Sequence, residues 1–153
     1  MRGILLVLFA MAMRQGAVPP TVPPNAPPAT TPDAPQIRSI DRGTMSGLSA
    51  ARQVTVSDRD AWAALWLEHA PARPRPEVDF SREVVVGIFL GTRPSAGFTV
   101  EIVGRRGDGE RTIVQYRETA PPPGSITAQV IVSPYHLVAL PKRAGAITFE
   151  KLI

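Results

Sequence analysis

Glu83 to Leu90 reads EVVVGIFL, an apolar run rich in β-branched side chains and too short for a buried helix of ordinary length. Successive side chains of a strand point to opposite faces, so a run this uniformly apolar marks a central strand covered on both sides. A fold built on it needs a layer against each face. The neighbouring sequence offers strands to build those layers. Phe98, Val100 and Ile102 alternate with Thr99, Glu101 and Val103 after a Gly91 to Gly97 turn, and a Gly107-Asp108-Gly109 turn leads into Thr112 to Glu118. These three runs predict a β-meander. Ile126 to Val132, Tyr135 to Leu140 and Ala146 to Leu152 read as further strands beyond the Ala120 to Gly124 break, and Ile37 to Ile40 and Leu48 to Val56 as two upstream, flanking a Gly43 to Gly47 turn.

One segment has helical spacing. Ser57 is placed as an N-cap with Asp60 three residues on, and Trp62, Leu65, Trp66 and His69 then fall on one face. Pro71, Pro74 and Pro76 end it, because proline cannot continue the hydrogen-bond ladder. The stripe is expected to dock on a sheet. The fold class that follows is mainly β, an antiparallel sheet or sandwich-like domain with one amphipathic helix near its start; the intervals between strands are too short for the crossover helices of a doubly wound fold.

The chain has 153 residues and 17 prolines, eight of them between Ala17 and Gln36. A stretch so poor in N–H donors forms neither helix nor sheet and is read as an extended spacer of polyproline II character. Before it, a single Arg2 precedes an apolar run from Gly3 to Met13, with Ala10 and Ala12 in the spacing a signal peptidase accepts. The run is short of the roughly 20 residues that span a bilayer, so no stable transmembrane anchor is expected. The organisation read from this is a signal peptide at 1–14, a proline-rich linker at 15–36 and one folded domain at 37–153, in a protein secreted or periplasmic.

Several chemistries are poorly supplied. Cysteine is absent, which removes disulfides, thiolate metal sites and cysteine nucleophiles. The net charge of +4 comes from scattered arginines and short pairs such as Arg105 and Arg106, with acids between them and no aromatic-basic stripe, so nucleic acid is not an expected partner. Of the two histidines, His136 lies three residues after Ser133, but a strand would point the two apart and leave the histidine partly exposed. Glu83, Glu101 and Glu118 follow the pattern of solvent-facing or strand-end residues rather than a glycosidase pair. No catalytic residue, metal site or cofactor is expected, and the protein is not expected to be an enzyme.

Five ordered motifs carry a family resemblance: WxxLWxxH (Trp62 to His69), VDFS (Val78 to Ser81), VVVGIFLGTRPSAGFTVEI (Val84 to Ile102), YRETxPxPG (Tyr116 to Gly124) and QVIVSPYHLVxLP (Gln129 to Pro141). Taken together they resemble the C-terminal domain of the PrcB family of protease-complex subunits. The resemblance implies a small exported β-rich domain that stabilises or assembles a secreted protease complex without catalysing a reaction, so the implied partner is an extracytoplasmic protein, a protease in particular. Where the family shows TGGY after the turn proline, this chain has Ser95, Ala96, Gly97 and Phe98, and the lipid-acceptor cysteine is missing. The same turn is similar to the TTGY loop of chagasin-like protease inhibitors, which makes inhibition the alternative; a carbohydrate- or cell-wall-binding β module is a third.

The partner-binding residues read from the turn are Arg93, Pro94, Ser95, Gly97 and Phe98. Pro94 fixes the entry of the turn, Gly97 permits a positive φ, Arg93 offers a bidentate donor and Ser95 a hydroxyl. Export has its own test. N-terminal sequencing of the native protein is expected to find a start near Met13 or within the following few residues, whereas an intact Met1 would refute the leader.

Overall fold

The computed structural model describes residues 37–108 and 110–153, with Asp108 known by its backbone alone. The leader at 1–14 and the linker at 15–36 lie outside the described residues. The domain is mostly β with a single helix, as its sequence predicts.

Its centre is an antiparallel pair, β3 (Glu83–Phe89) and β6 (Tyr135–Pro141), in register from Glu83 opposite Pro141 to Phe89 opposite Tyr135. β1 (Arg38–Gly43) adds to the free side of β6 and β2 (Arg52–Val56) to the free side of β3, which gives a four-stranded sheet of order β1-β6-β3-β2. Both faces are covered, as the EVVVGIFL run requires. Val84, Val86 and Ile88 of β3 and Val138 and Leu140 of β6 face a second sheet; Val85 and Phe89 of β3, with Tyr135 and Leu137 of β6, face the helix.

The second sheet is β4 (Thr99–Asp108), β5 (Arg111–Thr119) and β7 (Ala146–Leu152), in that order. β4 and β5 form the expected hairpin, and the strands run further into the arginine-glycine stretch than its turn residues suggested, to Asp108 opposite Arg111. Val100, Ile102, Val114 and Tyr116 point inward against the first sheet, with Ile147 and Phe149 of β7 at the margin.

On the other face, α1 runs Arg59–His69. It begins one residue later than the expected Ser57 cap. Asp58 is the extended residue, and its Oδ1 accepts the Ala61 N–H at 2.8 Å. Trp62, Leu65, Trp66 and His69 are all buried, so the spacing identified the docking face correctly. Each tryptophan buries roughly 200 Å², worth about 5 kcal/mol of transfer free energy. Their indole N–H groups need acceptors at that depth, and the proline-rich segment after the helix supplies them: Pro76 O at 3.0 Å from Trp62 Nε1 and Arg73 O at 2.9 Å from Trp66 Nε1. Among the described residues no helix is long and apolar enough to cross a membrane.

Three expectations are overturned. β3 and β4 do not form a meander, because both hydrogen-bonding sides of β3 are taken by β2 and β6, and the chain crosses to the other sheet instead. The second sheet is not wholly antiparallel, since β7 lies parallel to β5 from Ala146 beside Arg111 to Leu152 beside Arg117. Ile126 to Val132 is not a strand; only an isolated bridge links Val132 to Arg93. Its backbone bonds go instead to the 91–98 turn, at Arg93 and Ala96, and within the segment from Val130 N–H to Ala128 O, so it joins the edge of neither sheet.

The crossing between layers depends on Gly91. Its φ is +70°, and a Cβ there would stand 2.6 Å from Ala51 N and Ser49 O. Backbone cannot yield as a flexible side chain does. Gly91→Ala is therefore expected to lower stability by about 2 kcal/mol, read as a fall in denaturation midpoint at unchanged m-value.

Candidate functional site

The 91–98 turn is the layer crossing rather than a hairpin tip. It is held along its length: Leu90 N–H donates to Pro134 O, Thr92 N–H to Ser49 O, Arg93 and Val132 exchange both backbone bonds, and Ala96 N–H donates to Ala128 O. Gly97 takes the positive φ its sequence position suggested, +96°, and sits against Pro121. Pro94 and Gly97 are exposed. Arg93 is half-buried, its Nη1 donating to Thr92 O at 3.2 Å and its guanidinium 5.9 Å from the Phe98 ring centroid. Ser95 is 9 % exposed, so the residue as a whole offers little surface to a partner. The turn and the 126–132 segment beside it form one surface, to which Val130 and Ile131 contribute exposed aliphatic side chains.

A second constellation, invisible in the linear sequence, lies beneath the helix. His69 Nε2 is 3.2 Å from Asp41 Oδ2, His69 Nδ1 is 2.8 Å from Ser46 Oγ, and Arg73 forks onto Asp41 through Nη1 at 3.2 Å and Nη2 at 2.6 Å. Tyr135 Oη accepts from Arg73 Nη2 at 3.0 Å and donates to Asp41 Oδ2 at 3.1 Å. Hydrogen counting fixes the tautomer. The two hydrogens of Nη2 go to Asp41 and Tyr135, and the carboxylate can only accept, so His69 Nε2 carries the proton toward Asp41. Nδ1 is then the acceptor, and the Ser46 hydroxyl donates to it while its oxygen takes the Leu48 N–H at 3.1 Å. The His69 ring stands edge-on to Trp66, Phe89 and Tyr135.

Burial raises the Asp41 carboxyl, but hydrogen bonds from Arg73, His69 and Tyr135 outweigh it and hold the group below the ordinary carboxylate range. Burial lowers His69, against the pull of Asp41, which leaves a neutral ring. The serine–histidine–aspartate connectivity has the order of a nucleophile, its base and an orienting acid. What it lacks is electrophilic support. Ser46 N–H bonds Ser133 O, Gly47 N–H bonds His69 O and Leu48 N–H bonds Ser46 Oγ, so none of the three backbone donors around the serine is free to meet an oxyanion. The arrangement clamps β1, the 44–48 loop and the end of α1 together.

His136 is likewise a cross-link. It is 5 % exposed, in contrast to the partly exposed histidine expected from its position. Its Nδ1 accepts the Ile102 N–H of the second sheet at 2.8 Å, so Nε2 carries the hydrogen and donates to Ser39 Oγ at 2.9 Å. Ser133 bonds elsewhere, through its backbone to Thr44 and Ser46. The three glutamates also separate: Glu83 pairs with Arg38 at 2.7 Å, Glu101 with Arg42 at 2.8 Å and Glu118 with Lys151 at 2.8 Å. A cleft of about 910 Å³ near the start of the helix is lined by Arg38, Arg59 and Arg75 together with Glu77, Asp79 and Glu83, a balanced set of charges.

Residues 84–141, from β3 through β6, match the family model described as PrcB C-terminal, the family that the sequence motifs resemble. The matched segment contains the 91–98 turn, the β4–β5 hairpin and the 126–132 segment. Comparisons with curated proteins and with solved structures found no match.

The buried histidines make stability depend on pH. Burial, the largest cause in each case, lowers both below their ordinary value of 6.5, so the unfolded chain takes up protons first as pH falls through that value. Stability is therefore full above it and declines below it. Melting temperature is expected to fall between about pH 7 and about pH 5. His136→Asn, which does not titrate, is expected to flatten part of that decline.

Proposed function

We propose, with the family match over residues 84–141 as the premise, that the domain is an exported, non-catalytic accessory module that stabilises or assembles an extracytoplasmic protease. The observation that carries this reading is the surface made by the 91–98 turn and the 126–132 segment. It combines a backbone held in place by hydrogen bonds to three other parts of the chain with exposed Pro94, the Arg93–Phe98 pair, Val130 and Ile131. A surface already ordered before binding loses little conformational entropy when a partner arrives, and an arginine backed by an aromatic ring is a common binding anchor. The His69 clamp supports a non-catalytic role, because its serine has no free backbone donors beside it.

Inhibition in the manner of a wedge entering a protease cleft is less well supported. Such a wedge must project, whereas this turn lies along residues 128–132 and is bonded to them at Arg93 and Ala96. The module reading places the contact on the broad face instead.

Affinity capture with the full chain, from the extracytoplasmic fraction of its source, tests the proposal. A protease is expected to co-purify recurrently. Arg93→Ala combined with Pro94→Ala is expected to reduce its recovery at least about tenfold, the loss of one interface anchor, with melting temperature shifted by no more than about 3 °C. Recovery of wall polymer in place of protein would support the carbohydrate-binding reading, and unchanged recovery with the double variant would move the contact off this surface.

A further inference from the structure

Residues 126–132 carry the pattern of a strand without a strand partner. Ile126, Ala128 and Val130 alternate with Thr127, Gln129 and Ile131. One side of the segment is engaged by the turn: Val132 exchanges both backbone bonds with Arg93, and the Ala128 carbonyl accepts from Ala96 N–H. In an extended chain the backbone groups of Thr127, Gln129 and Ile131 point to the opposite side. Among the described residues no hydrogen bond engages the N–H groups of those three. The side chains are open as well, with Ile126 at 103 %, Ile131 at 70 % and Val130 at 49 % exposure.

Strand edges that must stay single are guarded by lysine, by inward charge or by proline within the edge. This one has none of these guards. No charged residue occurs from Ala120 to Tyr135, and the prolines lie outside the segment, at 121–123 and 134. The chain as a whole carries +4, so two copies repel across most approaches, and an uncharged stretch is where they meet at least cost.

We propose that this segment is the seam of a homodimer, pairing antiparallel with the same segment of a second copy about a two-fold axis at Ala128. In that register Ala128 faces its own counterpart, Thr127 faces Gln129 and Ile126 faces Val130, so aliphatic side chains lie opposite one another and no like charges do. The Ala128 carbonyl is directed at Ala96, away from the seam, which makes the central pair the closely approaching, non-hydrogen-bonded kind. Thr127 and Gln129 supply the inter-copy bonds. The three-residue turn closed by Val130 N–H on Ala128 O at 2.9 Å opens as the segment straightens into the seam, and the Ala128 carbonyl keeps its bond from Ala96 N–H. This proposal does not depend on the protease reading; where it holds, Val130 belongs to the seam and the protease contact falls to Pro94 and the Arg93–Phe98 pair.

Sedimentation equilibrium on the full chain, from about 1 µM to about 300 µM, is the test. A concentration-dependent dimer is expected. Ile126→Lys combined with Val130→Lys is expected to be monomeric throughout with the wild-type melting temperature. Because the chain has no cysteine, Ala128→Cys provides a clean second measurement. Mild oxidation is expected to link it into a covalent dimer, while Leu67→Cys, on the exposed side of the helix, stays single. A wild-type monomer at every concentration overturns the proposal, as does a dimer indifferent to the two lysines, or equal cross-linking at residues 67 and 128. A monomer that instead binds phosphatidylcholine vesicles through this segment overturns it in favour of a lipid surface.

Discussion

The β3–β6 ladder is the constraint on which the remaining structure depends. Once two adjacent strands are apolar on both faces, each face must be closed by something else, and the chain closes one with α1 and the other with the second sheet. Space between the layers is tight enough that Gly87 has no room for a methyl group: a Cβ there would stand 2.4 Å from Leu137 Cδ2 and 3.0 Å from Val54 Cγ2. The glycine inside the apolar run is thus a packing residue, the position at which β6 and β2 side chains cross over β3.

Hydrophobic burial is non-directional and does not by itself select one arrangement of three layers. The few buried polar groups supply direction. His136 reaches from the first sheet to a backbone N–H of the second, and His69 gathers Asp41 and Ser46 around the end of the helix. Both rings are neutral and have both nitrogens bonded, so each is a dipole with two fixed addresses. Arg73 closes the outer side of the His69 group while lying 5.3 Å from the Trp66 ring centroid, and it shields the carboxylate from water without being buried itself.

How far this was legible in sequence follows from which forces are local. The EVVVGIFL run predicted its double burial, the tryptophan stripe its docking face and Ala146 to Leu152 its strand, because each depends on side-chain spacing within a few residues. Pairing was not legible. The antiparallel neighbour expected for β3 was β4, the next run along, yet its real neighbours are β2 and β6, and nothing within Phe98 to Ile102 distinguishes a third sheet partner from a strand of another layer. The His69 group was missed for the same reason, since Asp41, Ser46, Arg73 and Tyr135 share no spacing and meet only through tertiary structure. Ser95 shows a subtler limit: a polar residue in a glycine- and proline-marked turn reads as a surface group, but here the turn lies along the 128–132 segment and the residue is nearly covered.

The order of strands in the first sheet has a kinetic consequence. One of its two edge strands, β1, comes first in the folded part of the chain, and its partner β6 comes nearly last, so that Arg38 pairs with Ala139. The backbone ladder of β1 cannot form while roughly a hundred residues of loop remain open, because closing such a loop costs entropy before any contact repays it. β7, which completes the other sheet, arrives later still. A chain emerging in order from its first residue therefore presents β1, β2 and α1 with most of their apolar partners still to come. Assembly of the first sheet therefore waits on β6, and a chain truncated before Tyr135 leaves β1 without its ladder and one side of β3 unpaired.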